Sequence, residues 1–163
     1  MMASLVDCAK TISSTDDKVE VFQLIAKRSN LSSQQFRESV EALITISNGD
    51  DRAKNLKAFL VHDQHTVQHL DVVLSSTASI SSSTSKASVF SQLVSNRYLT
   101  VQNFPSILDG IKGISDSSDK SKVLCKLAPR LPKADKNVQR AYLAAAGSIS
   151  RSEEKAAATI AFM

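Results

Sequence analysis

The sequence predicts an all-α fold, a right-handed α-solenoid of antiparallel helix pairs with a 34-residue repeat. Three observations carry this prediction. The dipeptide Ile-Ser recurs at Ile12-Ser13, Ile46-Ser47, Ile80-Ser81, Ile114-Ser115 and Ile149-Ser150, so the spacings are 34, 34, 34 and 35 residues. Self-similarity at such a period is the signature of stacked two-helix units. Apolar residues recur in steps of three and four, the period of one helix face. The 163 residues include only four Gly and three Pro, too few for the many tight turns of a sandwich or barrel. A composition of 42% hydrophobic and 22% charged residues fits a folded chain.

The units assign one helical-repeat domain over residues 1–163. It comprises a half-repeat at 1–11, repeats at 12–45, 46–79, 80–113 and 114–148, and a half-repeat at 149–163. Val6 and Ala9 make residues 3–10 the tail of a second-type (B) helix. First-type (A) helices are predicted at about 15–28, 49–61, 83–95, 117–128 and 152–162, and B helices at about 33–45, 66–78, 102–112 and 134–147. Their core slots hold Phe22, Leu56, Phe90 and Leu124; Ile25, Phe59, Leu93, Leu127 and Phe162; Phe36, Leu70, Phe104 and Val138; and Val40, Leu74, Leu108 and Tyr142. All six Phe fall in these slots. The serine after each Ile is expected to cap helix A with its hydroxyl. Acidic residues such as Asp16, Asp17, Asp50, Asp51, Asp119, Glu153 and Glu154 follow at the positive end of the helix dipole. The third repeat departs from this with Thr84 and Ser85. Pro105 is expected to delay the start of its B helix.

The tetratricopeptide family shares the 34-residue period, but its Trp, Gly, Tyr and Pro pattern is missing. The stretch from Gly113-Ile114-Ser115-Asp116 through Asp119-Lys120 and Val123-Leu124, followed by Ala141-Tyr142-Leu143-Ala144-Ala145, resembles a bacterial two-helix repeat. That repeat occurs in extracytoplasmic parts of membrane metallopeptidase-like sensors and is HEAT-like in general form. The resemblance covers residues 113–160. It implies a binding or sensing module without chemistry of its own, in an extracytoplasmic setting.

Charge offers one candidate site. A basic residue stands six positions after each Ile, giving a ladder of Lys18, Arg52, Lys86, Lys120 and Lys155. It reads either as a rail for an anionic partner or as side chains that reach the terminal carbonyls of neighbouring helices. Residues 112–140 hold eight basic and three acidic residues. Within them Lys120, Lys122, Lys126, Arg130, Lys133, Lys136 and Arg140 form a candidate surface for nucleic acid or another polyanion.

Other chemistry-bearing residues read as structural. His62, His65 and His69 carry metal-ligand spacing, but neither a cysteine nor a second carboxylate cluster supports them, so no metal and no cofactor are predicted. His65 is expected to close the core from a loop, and His69 to point outward. Neither a GxSxG nor an HExxH motif occurs, no Ser-x-x-Lys motif is expected, and serines sit at caps and on polar faces, so no catalytic residue is assigned. Nine serines between Ser75 and Ser91 make a soft loop and an exposed helix face. Cys8 and Cys125 form no disulfide framework. They fit a reducing compartment or two small buried side chains, and no leader-like segment opens the chain, so the residues alone point to the cytoplasm. No apolar stretch is long enough to span a membrane. The resulting expectation is a non-catalytic scaffold for a protein or peptide, with polyanion binding as the alternative. Phe162, in a core slot with only Met163 after it, is expected either if the scaffold is a fragment excised from a larger repeat protein or if it packs against another molecule, including self-association through the terminal half-repeats.

Overall fold

The structure, a computed structural model, describes residues 2–163, with side chains from Leu5 onward. Met1, part of the predicted first half-repeat, lies outside the described residues. Those residues form eleven α-helices and no strand. In chain order they are α1 (Met2–Thr11), α2 (Thr15–Ala26), α3 (Ser33–Ala42), α4 (Gly49–Phe59), α5 (Asp63–Gln68), α6 (Leu70–Ala78), α7 (Ser83–Leu93), α8 (Phe104–Lys112), α9 (Ser117–Leu127), α10 (Lys136–Gly147) and α11 (Ser152–Phe162). A 3-10 turn extends α3 over Leu43–Thr45, and another extends α9 over Ala128–Arg130. Among the described residues no helix is long and apolar enough to cross a membrane.

The helices alternate between two contact series. In the A series α2 packs on α4, α4 on α7, α7 on α9, and α9 on α11. In the B series α1 packs on α3, α3 on α6, α6 on α8, and α8 on α10. Helices of the two series also touch along the chain, as α1 with α2, α6 with α7 and α10 with α11 do. One apolar cluster from Val6 to Phe162 therefore joins both. All six Phe are buried in it, as their slots predict. The Tyr142 ring stacks on Phe162 at 4.5 Å, and its hydroxyl donates to the Ala158 carbonyl at 2.7 Å. Burial raises the ionisation of that phenol well above the ordinary tyrosine value.

The caps lie one residue beyond the expected serines. Ser14, Asn48, Ser82 and Asp116 are the N-caps, and their side chains accept from the main-chain N–H of Asp17, of Asp50 and Asp51, of Ser85 and of Asp119. The residue at this position has the extended backbone that aims its side chain at the exposed first-turn donors. Two of the displaced serines lie against the preceding A helix. Ser47 Oγ is 3.5 Å from Thr15 Oγ1, and Ser150 Oγ is 2.9 Å from Ser117 Oγ.

The departure in the third repeat has a physical reason. Thr84 Oγ1 donates to Asp119, and Ser85 Oγ donates to Asp50. Carboxylates at both positions would face the carboxylates of the two neighbouring A helices.

Two further expectations change. The second B helix is broken, with α5 and α6 meeting at His69 (φ −117°, ψ 39°), and its helical part begins earlier than predicted. Cys8 is exposed and Cys125 half-buried, both as free thiols, so they are not two small buried side chains. The delay expected of Pro105 is present: it sits in the first turn of α8, which starts at Phe104, later than 102.

Candidate functional site

Four of the five ladder cations reach the carbonyls at the end of a B-series helix. Lys18 Nζ donates to Thr45 O at 3.3 Å, Lys86 Nζ to Gly113 O at 3.2 Å, and Lys120 Nζ to Ser148 O at 3.3 Å and Ser148 Oγ at 3.1 Å. Arg52 does more. Its guanidinium donates to Ile46 O at 2.6 Å and to Ser79 O and Oγ at 2.8 and 2.9 Å. It thereby ties the segment entering α4 to the C-terminal end of α6. Cations at a helix C-terminus satisfy orphan carbonyls and oppose the negative end of the dipole.

Lys18, Arg52 and Lys120 are buried, and desolvation lowers the Lys120 ammonium below the ordinary lysine value. Lys155 alone is exposed, and it makes no such bond among the described residues.

A second set of reaching side chains escaped the motif reading, although its spacing is visible in the sequence. His62 Nε2 is 2.7 Å from Ala26 O, Asn96 Nδ2 donates to Asp63 O at 2.8 Å, and Arg130 donates to Val94 O and Asn96 O. These residues stand 34 positions apart, and each bonds a carbonyl about one unit earlier in the chain. Chemically unlike residues in one slot gave no pattern to recognise. What they share is a side-chain N–H.

The predicted basic surface is divided. Lys120 and Arg130 are committed to carbonyls, and Lys126 and Lys133, though exposed, donate to Ser91 O and Met163 O. Lys122 on α9 and Lys136 and Arg140 on α10 remain exposed. The last two flank a cleft with Gln139 and Leu143.

The three histidines gather around Phe36. Their ring centroids lie 6.3 Å (His62), 5.8 Å (His65) and 6.1 Å (His69) from its ring, with His69 stacked on it. His65 lies inside α5, not in a loop, and His69 turns inward rather than out. Each spends Nε2 on a partner near α2 or α3. His65 meets Leu31 O at 2.9 Å, and His69 meets Ser33 Oγ at 2.6 Å. Among the described residues no group of three or more His, Cys, Asp and Glu is arranged to hold a metal ion.

The expectation that no Ser-x-x-Lys motif is present is wrong. The motif occurs at Ser83–Lys86, Ser117–Lys120 and Ser152–Lys155. Such a spacing serves acyl-transfer enzymes when the lysine faces the serine. Here Lys86 and Lys120 bond carbonyls instead, Ser83 Oγ accepts from Asp116 N, and Ser117 Oγ pairs with Ser150 Oγ.

Clefts open in both series: one of about 300 Å³ lies between α9 and α11 of the A series, lined by Ser118, Ser121, Lys122, Glu153, Glu154 and Ala157, and two adjoin in the B series. One cleft of about 270 Å³ separates α3 from α6, lined by Arg37, Val40, Glu41, Ile44, Asp71, Val72, Ser75 and Ser76. The next, between α6 and α8, begins at the same Ser75 and includes Leu74, Ala78, Pro105, Ser106, Asp109 and Gly110. Ile44 is 63% exposed at the first of them. The first cleft mixes charged and hydroxyl side chains with Val40, Ile44 and Val72, and the second adds Leu74, Ala78 and Pro105, a mixture that suits a peptide with both polar and apolar side chains. No family model, curated protein or solved structure matches the chain.

Proposed function

We propose that this chain is a non-catalytic helical-repeat scaffold, a right-handed α-solenoid with a 34-residue unit, that binds a protein or peptide segment along its B-series helices. The likeness of residues 113–160 to a bacterial HEAT-like repeat supports a binding role. The observation that carries the reading is the run of adjoining clefts from α3 through α6 to α8, which share Ser75. Side-chain hydrogen bonds spanning 33–36 residues, from His65–Leu31 to Lys126–Ser91, support a stack of like units. An extended peptide would lay apolar side chains at Ile44 and Leu74 and meet the mixed charges of Arg37, Glu41 and Asp71.

Panning a random peptide library on the 163-residue protein tests this. Selected peptides should lose roughly tenfold or more in affinity for Ile44→Asp and for Ser75→Arg, about 1.4 kcal/mol each. Equal affinity for both variants, or no selection above background, overturns the proposal.

Polyanion binding is a second reading, resting on exposed Lys122, Lys136 and Arg140. It predicts affinity for a short duplex that falls steeply with salt. Binding that is absent at low salt removes it.

A further inference from the structure

The joint that leads into α4 contains a reactive peptide bond. Of the six asparagines, Asn48 alone precedes a glycine; the others stand before Leu31, Leu56, Arg97, Phe104 and Val138. A glycine has no Cβ to screen its nitrogen, so an Asn-Gly bond is the most open to attack on the asparagine's own side chain. Asn48 and Ser47 before it are exposed, so water reaches the bond. Gly49 is half-buried against Ser81, whose Oγ is 3.2 Å from where a Cβ on Gly49 would stand.

The fold holds this bond from both sides. Downstream, Asn48 caps α4, and its Oδ1 accepts from Asp50 N at 2.8 Å and Asp51 N at 3.2 Å. Upstream, the buried Arg52 guanidinium donates to Ile46 O at 2.6 Å and, more weakly, to Ile44 O at 3.4 Å. The same guanidinium is anchored on Ser79 O at 2.8 Å. For the Gly49 nitrogen to reach Asn48 Cγ, the backbone must turn at Asn48 from its extended ψ of 125°. That turn pulls Oδ1 off its two donors and strains the hold of Arg52 on Ile46. Ser81 leaves little room for Gly49 to swing.

We propose that Asn48 is a site of spontaneous deamidation, held closed by its cap bonds and by Arg52, and released when the entry to α4 opens. The Gly49 nitrogen bonds to Asn48 Cγ and gives up its proton, the Cγ–Nδ2 bond breaks, and ammonia leaves. Solvent water then opens the imide ring. Water adding at Cγ gives aspartate, and water adding at the Asn48 main-chain carbonyl gives isoaspartate. The aspartate keeps the cap, because Asp135 caps α10 through the same pair of bonds, from Asn137 N at 2.9 Å and Val138 N at 3.0 Å. The isoaspartate routes the main chain through Cβ and lengthens the link between Ile44 and α4. Ile44 lines the α3–α6 cleft, so this product alters that wall. Local opening sets the rate, and the modified fraction records how often the joint has opened. The site stands independently of peptide binding.

Peptide mapping by mass spectrometry, during incubation of the 163-residue protein in mildly alkaline buffer, tests it. The mass change of ammonia exchanged for water should appear at residue 48 before any other asparagine, as two products that chromatography separates. Unfolding in guanidinium chloride should speed the conversion roughly tenfold or more, because the opening cost is then removed. Arg52→Met, checked as folded by circular dichroism, should also speed it. Arg52→Lys keeps only part of the fork and should fall between that variant and wild type, which covers the case of an unfolded Arg52→Met. Gly110→Ala strains α8 against Phe90 instead and should leave the rate near that of wild type. Gly49→Ala should slow the reaction in the unfolded chain, where only the added methyl group differs. Conversion that starts at another asparagine, or a Gly49→Ala chain that converts as fast, overturns the site. A folded rate equal to the unfolded one, or Arg52 variants no faster than Gly110→Ala, overturns the hold exerted by the fold.

Discussion

The A series is cross-linked by side chains, whereas the B series is mostly packed without them. Between α4 and α7, Lys57 Nζ donates to Ser88 Oγ, Gln92 Nε2 donates to Lys57 O, and Ser85 Oγ donates to Asp50. Between α7 and α9, Thr84 donates to Asp119 and Lys126 donates to Ser91 O. Between α9 and α11, Ser121 donates to Glu154 O. In the B series, α3 reaches α6 through the Arg37–Asp71 ion pair at 3.5 Å. Among the described residues, no side-chain hydrogen bond joins α6 to α8 or α8 to α10. Directional bonds set a spacing that apolar packing alone leaves adjustable. The cleft between α6 and α8 has no such bond across it, whereas the one between α3 and α6 is crossed by the Arg37–Asp71 pair and the one between α9 and α11 lies beside the Ser121–Glu154 bond. The A series carries more of the directional bonds, and the B series carries the two clefts that adjoin.

The largest test lies within the ladder itself. Arg52→Met should cost about 3 kcal/mol, because it leaves the Ile46 and Ser79 carbonyls without their charged donor. Lys86→Met should cost less than about 1 kcal/mol, since its single bond is exposed to water. Urea midpoints at unchanged slope read both, and equal losses would break the distinction between a buried and a solvated rung.

Next comes the packing of α8 on its neighbours. A Cβ on Gly110 would lie 2.8 Å from Phe90 Cζ, so Gly110→Ala should cost about 1–3 kcal/mol through overpacking. Adding Phe90→Leu to the same protein should recover part of that loss if the ring is the obstacle.

A smaller effect compares the two series directly. Gln92→Ala should cost about 1 kcal/mol. Arg37→Ala should cost under about 0.5 kcal/mol, because its two ion-pair partners, Asp71 and Glu41 (2.9 Å), are well exposed. Thermal unfolding of the pair checks the order, and a larger loss for Arg37 would reverse it.

The smallest effect is a pH dependence at the caps of α7 and α9. The Asp119 main-chain N–H holds the Asp116 carboxyl below its ordinary value, with Arg151 and Lys122 adding to the effect. A carboxyl depressed by folding contributes stability above its unfolded pKa of about 3.9, and loses it as pH falls through the lower folded value. The gap between wild type and Asp116→Ala should therefore narrow in acid below pH ~4. The gap for Ser82→Ala should stay level, because a hydroxyl cap does not titrate.

Much of the fold was legible in the sequence because it is written locally. A step of three and four residues marks which face is buried, and all six Phe sit where that period put them. The N-caps were misread by one residue because a run such as Ser13-Ser14 offers two hydroxyls, and only backbone geometry chooses between them. The break at His69 was missed because nothing local demands it. Its ring stacks on Phe36 from a helix more than 30 residues earlier. The link from Asn96 to Asp63 was missed for a related reason, since an asparagine in a turn usually serves its own backbone.

The sequence by itself determined that the chain is helical, which residues enter the core, and that one cation recurs in each unit. Those properties depend on side-chain chemistry and a short period. Only the tertiary structure decided what the cations do. Lys18 and Lys120 look like surface charges until the end of a helix 27 or 28 residues downstream is brought beside them. A charge takes its role from what lies within a few ångströms, and no spacing along the chain states that distance. The same ladder therefore leaves two roles open in one dimension, a binding rail or a reach to helix-end carbonyls, and in three dimensions four of its five members take the second.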